Sequence, residues 1–334
     1  MSERTDAGNA ATGALRGGRI IGWGTALPDQ VLSNADLEAH LDTTDAWITE
    51  RTGIKERRYG GTTAGLAVEA GRAALERAGV EPDSIDLLIL CTTSPDRNLP
   101  ASASRVQAEL GLDCGAFDLN AACSGFVYGL AAANGYIAMG SQRILLIGSE
   151  TLDKMTDPED RGTAILFGNG AGAVVVDAVP EGDPAQLLGW DVGSDGAAEH
   201  ILYAELGGFM QMDGREVFRR AVRVMVQSAT SAMERAGVKP EDIALVVPHQ
   251  ANIRIIDSAC DKLGFDREQT ALVLQSTGNT SAASIPLALA DALDSGRARD
   301  GDLVLLVGFG AGMTWASAVL RWSEAGPVEL GTSA

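Results

Sequence analysis

The feature that most constrains this chain is an internal echo. Residues 76–90 read ERAGVEPDSIDLLIL and residues 234–247 read ERAGVKPEDIALVV. The run Glu76–Val80 is identical to Glu234–Val238, and Pro82, Ile85 and Leu87 recur as Pro240, Ile243 and Leu245. Each copy spells a helix end, a glycine stop, a proline turn and an apolar, strand-like run. A second echo, downstream of the first in each half, pairs Gly168-Asn169-Gly170-Ala171-Gly172 with Gly308-Phe309-Gly310-Ala311-Gly312. Two echoes in the same order predict two similar βα halves. Helical patterning covers 64–78, 101–110, 124–139, 215–236, 251–263 and 281–295, and strand-like runs cover 86–91, 143–148, 172–177, 243–247, 302–307 and 315–321. Such alternation predicts an α/β protein whose strands are covered on both faces. Sites in these folds collect beyond the carboxyl ends of strands, so the chemistry is sought there.

Bulk properties narrow the classes. No apolar run reaches the roughly 20 residues a membrane helix needs. The polar start, MSERTDAGNAATGALRGG, lacks the apolar centre of a secretory signal and reads as a loose tail, 1–17, before a first strand at Gly18–Gly22. Residues 18–178 and 179–325 then form the two halves, and 326–334 a second tail. Cys91, Cys114, Cys123 and Cys260 show no C-x-x-C spacing, which argues against zinc and disulfide frameworks and fits a cytoplasmic protein. A formal charge of −19 argues against nucleic acid or an anionic membrane as partner, so an anionic ligand needs a local basic patch.

Three residues stand at strand ends. Cys123, in Ala121-Ala122-Cys123-Ser124-Gly125, sits where the strand-like Gly115–Leu119 turns into a helix. A helix N-terminus there favours a thiolate, and small neighbours leave room for a reacting carbonyl. Cys91 and Cys260 read instead as inert buried cysteines. His249 closes an apolar strand in Val246-Val247-Pro248-His249-Gln250, whereas His40 and His200 lie in polar surroundings. It suits either proton chemistry or a core or capping role. Asn279, in Ser276-Thr277-Gly278-Asn279-Thr280-Ser281, either forms a turn and cap or presents an amide to a site. The two glycine runs lack a P-loop pattern and read as tight turns, the second also able to aim an N–H at an oxyanion.

With these residues in view, the chain resembles the β-ketoacyl-acyl-carrier-protein synthase III family of the thiolase superfamily over nearly its whole length. The matching pieces, in order, are Asp45-Ala46-Trp47-Ile48 with Arg51-Thr52-Gly53-Ile54, Ala121–Phe126, Asp160-Arg161-Gly162-Thr163, Pro248-His249-Gln250-Ala251-Asn252 and Gly278-Asn279-Thr280-Ser281. The resemblance implies a thiolase-like fold layered αβαβα, a Cys123–His249–Asn279 triad, and an oxyanion hole from the backbone N–H groups of Cys123 and Gly312. It implies acyl-coenzyme A as donor and malonyl-acyl-carrier protein as acceptor. The reaction is then a decarboxylating Claisen condensation that initiates fatty-acid synthesis. Coenzyme A enters as substrate; no metal or other cofactor is implied. A thiolate nucleophile suits covalent transfer, and two side-chain donors suit an enolate oxygen. The adenine falls between Trp47 and Arg161, phosphate and pantetheine near Arg51 and Asn252, and the passage past Gly214 and Phe218.

GREVFRRAVRVM places Arg215, Arg219, Arg220 and Arg223 within two helical turns, a basic face that Arg254 and Lys262 are expected to join. This is either a solvated helix face or a basic surface. The resemblance implies carrier-protein docking on Arg219, Arg223, Arg254 and Lys262. It also implies a homodimer in which Leu99 crosses into the partner's acyl pocket. Asp261 stands where relatives carry a basic residue, Ala311 replaces a glycine, and the segment between Trp190 and Met212 is short for the family. A related acyltransferase or a polyketide-priming ketosynthase would use the same Cys123 with a different acceptor. A degradative thiolase needs a second cysteine near Gly308–Gly312, which is absent. The hydroxymethylglutaryl synthase class needs a placed glutamate, and the sequence alone offers no clear one. A non-catalytic acyl-binding relative would usually lack the nucleophile.

Overall fold

The computed structural model describes residues 17–179 and 186–327, so both tails lie outside it apart from their innermost residues. The first half runs β1 (Gly18–Ala26), β2 (Gln30–Ser33), α1 (Asn34–Glu38), α2 (Asp45–Thr52), β3 (Glu56–Tyr59), α3 (Thr63–Ala78), β4 (Leu87–Cys91), α4 (Ser102–Leu110), β5 (Gly115–Leu119), α5 (Gly125–Ala138), β6 (Arg143–Glu150), α6 (Arg161–Ala164) and β7 (Gly170–Ala178). The second runs β8 (Leu187–Ser194), β9 (Leu202–Tyr203), β10 (Gln211–Met212), α7 (Gly214–Ala236), β11 (Ile243–Pro248), α8 (Ile253–Leu263), α9 (Leu274–Thr277), α10 (Ser284–Asp294), β12 (Leu303–Gly310) and β13 (Thr314–Arg321).

Two mixed sheets form, ordered β1-β7-β6-β4-β5 and β8-β13-β12-β11. The first four strands of one order correspond one for one to those of the other. The counterpart of β5 is reduced to a single parallel bridge, Val246 to Thr270. Helices α3 and α4 cover the outer face of the first sheet, and α7, with α8 packed on it, covers that of the second. Between the sheets lie α5, which touches β4, β6, β12 and β13, and α10, which touches β1, β7, β11 and β12. This is the expected αβαβα layering. The central helices are apolar on nearly every face, as elements buried from two sides must be. Phe126, Leu130, Ile137, Ile285 and Leu289 join both sheets in one core. Among the described residues no helix is long and apolar enough to cross a membrane.

The first echo is structural. Helices α3 and α7 both stop at a left-handed glycine, Gly79 (φ 65°) and Gly237 (φ 68°), and a proline-led single turn follows each. Leu87 then pairs with Ile144 as Leu245 pairs with Val304. That register corrects the second echo. Gly308 is the counterpart of Gly148 rather than of Gly168, because the first glycine run opens β7 while the second closes β12. A further repeat pairs the opening strands: Ile20-Ile21-Gly22-Trp23 on β1 answers Leu187-Leu188-Gly189-Trp190 on β8. A Cβ at Gly22 would lie 2.5 Å from the Ala74 carbonyl oxygen, and one at Gly189 2.4 Å from that of Ala232, so glycine lets each outer helix sit directly on its strand. The neighbouring tryptophans carry the same partner in each half, Arg77 over Trp23 at 4.5 Å and Arg235 over Trp190 at 6.0 Å.

Candidate active site

Two equivalent elbows build the site. Before α5, Asn120 Oδ1 accepts from the Ala122 N–H at 3.1 Å, and Ala122 takes φ 49°. Before α10, Asn279 Oδ1 accepts from the Ser281 N–H at 2.9 Å, and Ser281 takes φ 46°. Left-handed backbone at a non-glycine residue is costly and is held in place by its surroundings. Each elbow turns the chain sharply from strand level into a central helix. The first delivers Cys123 at the start of α5; in the second the corresponding position is Ala282, and Asn279 faces the site instead. The elbows pack against each other between the sheets. Beneath the first, Gly310 is indispensable, since a Cβ there would lie 2.5 Å from the Cys123 backbone nitrogen.

His249 follows β11 directly, its backbone N–H donating to Val307 on β12. The ring is buried, lies edge-on to Phe309 with centroids 5.3 Å apart, and has Nδ1 2.6 Å from the Ser284 hydroxyl. Burial lowers its pKa to about 3, so the imidazole is neutral at physiological pH. His40 and His200 are both exposed. With Oδ1 of Asn279 engaged by Ser281, its Nδ2 remains as a donor. Cys123 departs from the sequence expectation. Burial pushes its thiol up to about 12, the Glu150 carboxyl adds to the rise, and a hydrogen bond to Ser281 only partly opposes it. The resting residue is therefore a thiol, not the thiolate that a helix N-terminus suggests. Cys91 and Cys260 are buried with raised thiols, as inert core cysteines would be.

Cys123, His249 and Asn279 line one cavity of about 480 Å³ together with Trp47, Arg51, Gly214, Phe218 and Asn252. Asn252 also caps α8 through Oδ1, accepting from the Arg254 N–H at 2.9 Å. The Arg161 guanidinium stands 5.0 Å from the Trp47 ring centroid and also donates to the Asp42 carbonyl at 2.7 Å. A purine between Trp47 and Arg161 thus needs the guanidinium to swing outward, because two stacked layers span roughly 7 Å. Arg51 lies over the same indole at 4.9 Å.

A second cavity of about 390 Å³ also reaches Cys123, lined by Leu152, Met155, Leu202 and Met210. Leu99, the one residue the resemblance ties to an acyl pocket, is not in its wall: in the single chain that side chain is 84% exposed. Gly312 (φ 124°) and Cys123 both border this cavity. Arg215, Arg219, Arg223, Arg254 and Lys262 are exposed. The basic face is weaker than the sequence suggests, for Arg219 and Arg220 both bind Glu216 at 2.7 Å, holding its carboxyl down at about 2. Arg220 is further tied to Asp195.

Sequence reasoning missed Glu150, Ser281 and Ser284. Glu150 ends β6, fully buried, where an apolar run conceals it. Its carboxyl accepts from the N–H groups of Thr93 and Ser94 at 3.1 Å and from the hydroxyls of Thr92, Thr93 and Ser94. Its charge adds to the rise of the Cys123 thiol, a neighbour that the apolar run does not announce. Nothing in a lone serine beside Asn279 announces its partners.

A duplicated αβαβα fold whose two elbows bring a cysteine, a histidine and an asparagine amide to one buried cavity defines a condensing enzyme of the thiolase fold. Comparison with known proteins agrees. Residues 117–196 match the model described as 3-oxoacyl-[acyl-carrier-protein (ACP)] synthase III, and residues 233–322 match the model of that family's C-terminal part. Beta-ketoacyl-[acyl-carrier-protein] synthase III of Roseiflexus sp. (strain RS-1) is 47% identical over 324 residues, covering 91% of this chain and 98% of its own. The crystal structure of 3-oxoacyl-[acyl-carrier-protein] synthase III from Aquifex aeolicus VF5 superposes with a TM-score of 0.89 at 45% identity, covering 92% of this chain and 100% of its own. The priming beta-ketosynthase from the R1128 polyketide biosynthetic pathway superposes with a TM-score of 0.88 at 36% identity, covering 95% and 99%. The chain belongs to the 3-oxoacyl-[acyl-carrier-protein] synthase III family.

Proposed function

We propose that the protein condenses an acyl-coenzyme A primer with malonyl-acyl-carrier protein, releasing carbon dioxide and forming 3-oxoacyl-carrier protein as the first step of fatty-acid synthesis in the cytoplasm. The observation that carries this reading is the convergence of Cys123, His249 and Asn279 on a cavity that leads outward past Trp47 and Arg51. Acyl transfer forms a thioester on Cys123 and expels coenzyme A. Backbone N–H groups of Cys123 and Gly312 receive the thioester oxyanion, and the acyl chain lies in the second cavity. Malonyl thioester then enters by the first cavity. His249 Nε2 and Asn279 Nδ2 donate to its carbonyl oxygen, stabilising the enolate left by loss of carbon dioxide. The carbanion equivalent attacks the acyl group and Cys123 leaves. A neutral imidazole suits this role because it must donate without first losing a proton.

The adenine is assigned to Trp47 and Arg161, the phosphates to Arg51 and the pantetheine to Asn252 and Phe218, since aromatic and guanidinium planes stack on purines and arginine binds phosphate. Arg223, Arg254 and Lys262, which form no ion pair among those found in the described residues, offer the carrier protein its steering charge, with Arg219 at their edge. Leu99, exposed on one chain, is assigned to the interface of a homodimer. A second reading, priming of a polyketide by the same chemistry, draws support from the likeness to the R1128 ketosynthase and from an acyl cavity larger than a two-carbon primer requires. Release of carbon dioxide from malonyl-acyl-carrier protein, measured with a series of acyl-coenzyme A primers, tests the proposal. Primer-dependent release supports it; acyl transfer without any release removes it in favour of another acceptor.

A further inference from the structure

His249 and Asn279 must reach one carbonyl oxygen together, yet different parts of the fold hold them. The His249 N–H donates to the Val307 carbonyl on β12 at 2.8 Å. The Asn279 backbone is tied to the first half: its N–H donates to the Leu166 carbonyl at 2.8 Å, and its own carbonyl accepts from the Gly168 N–H at 3.0 Å. In the first half β5 pairs along the whole of β4 and runs straight on to the Cys123 elbow. In the second half the counterpart of β5 is a single bridge, and α9 stands between that bridge and Asn279.

Gln250 supplies what the strand does not. It follows His249 and is fully buried. Its Nε2 donates to the carbonyls of Pro248 at 2.7 Å and Ala271 at 3.1 Å. Its Oε1 accepts from the N–H groups of Val273 at 3.0 Å and Leu274 at 3.3 Å. Both amide hydrogens and both oxygen lone pairs are used, and only one orientation of the amide uses them all. Thr92, at the same place after β4, needs no such side chain, because its backbone N–H continues the ladder to Leu119 at 3.1 Å. From Leu274 the tie runs on through α9: the Leu274 carbonyl accepts from the Gly278 N–H at 3.0 Å, and Asn279 comes next. The Gln250 N–H also approaches the Ser284 hydroxyl that meets the His249 ring.

We propose that Gln250 is a positioning residue for condensation, its side-chain amide setting the separation of His249 and Asn279 in place of the strand missing beside β11. Gln250 does not line the cavity that holds Cys123, and acts through the two donors that do. Acylation of Cys123 draws on the first elbow, whereas decarboxylation needs both donors on one oxygen. A displacement near 1 Å costs about 10²-fold, so loss of the tie falls on decarboxylation.

This inference rests on the function proposed above, and wild type separates the two. Wild type that takes no acyl mass on Cys123, or releases no carbon dioxide from malonyl-acyl-carrier protein, fails the functional proposal. With both present, Gln250→Met and Gln250→Glu test the tie. Each rate is divided by the amount of Cys123 that can be acylated, so that partial unfolding cancels. Gln250→Met fills the space and makes none of the four bonds. Its decarboxylation per acylatable site should fall about 10²-fold, with the acylation rate and the half-saturating concentration of malonyl-acyl-carrier protein unchanged. Gln250→Glu keeps an acceptor for Val273 and Leu274 and should fall less, about tenfold. A residue that serves the fold alone predicts less acylatable protein with both rates per site at wild-type values. That result overturns the proposal, as does an equal fall in the two half-reactions. If Gln250→Met yields no acylatable protein, Gln250→Glu decides the matter; if neither yields any, the amide serves folding and the proposal falls.

Discussion

The Ser284 hydroxyl, at the first residue of α10, lies 2.6 Å from Nδ1 of His249. The Gln250 N–H approaches the same oxygen at 3.4 Å, so the serine is arranged to accept from the backbone and donate to the ring. That places the imidazole hydrogen on Nε2, the tautomer able to donate to an enolate oxygen. Ser284→Ala removes this control. Condensation is expected to fall about tenfold, the worth of one buried hydrogen bond, while acylation of Cys123 falls less. Comparing single-turnover acylation with carbon dioxide release in the variant checks the split.

Asn279→Asp replaces a donor by an acceptor at the same place. Where an amide stabilises a developing oxyanion, its loss costs on the order of 10²–10³ in rate. Decarboxylation of malonyl-acyl-carrier protein should drop by that factor, with acyl transfer to Cys123 retained. Equal losses in both half-reactions would show that Asn279 serves the elbow and not the enolate.

His249 also ties stability to pH. Its folded pKa, about 3, lies below the ordinary 6.5, so between those values the unfolded chain binds a proton that the folded chain refuses. Its contribution is full above 6.5 and is lost as pH falls toward 3, amounting to about 2 kcal/mol by pH 5. His249→Gln should remove this part of the difference between denaturation free energies measured at pH 7 and pH 5. An equal pH dependence in the variant would place the histidine in solvent.

Gly310→Ala tests the elbow itself. A Cβ would meet the Cys123 nitrogen at 2.5 Å, and relief requires moving the nucleophile's backbone. Displacements near 1 Å cost about 10²-fold in catalysis, so acylation should fall steeply while coenzyme A binding, measured by calorimetry, persists.

Much of this architecture was written in the local pattern. Gly79 and Gly237 ended their helices where the sequence placed the stops, and the six strand-like runs all became strands. β8 escaped because LLGWDVGS mixes glycine and acid with few branched residues, and its kinship to β1 shows only once Ala74 and Ala232 are seen lying on Gly22 and Gly189. The false pairing of the two glycine runs has the same origin, since composition repeats there but strand register does not. At the site, Cys123 and His249 were legible from their places at strand ends, but Asn279 reads alone as a turn residue, and only its company and the family resemblance joined it to them; the structure brings all three to one cavity. Burial was not, and burial decides that Cys123 rests protonated and His249 neutral. Glu150 was hidden by the same blindness: an acid closing an apolar run gives no hint that it ends fully buried among Thr92, Thr93 and Ser94.

The covalent role of Cys123 admits the most direct test. After incubation with an acyl-coenzyme A and no malonyl donor, intact-mass and peptide mass spectrometry should show one acyl group per chain, located on Cys123 and discharged when malonyl-acyl-carrier protein is added. An unmodified Cys123, or an acyl group carried on another residue, would contradict it.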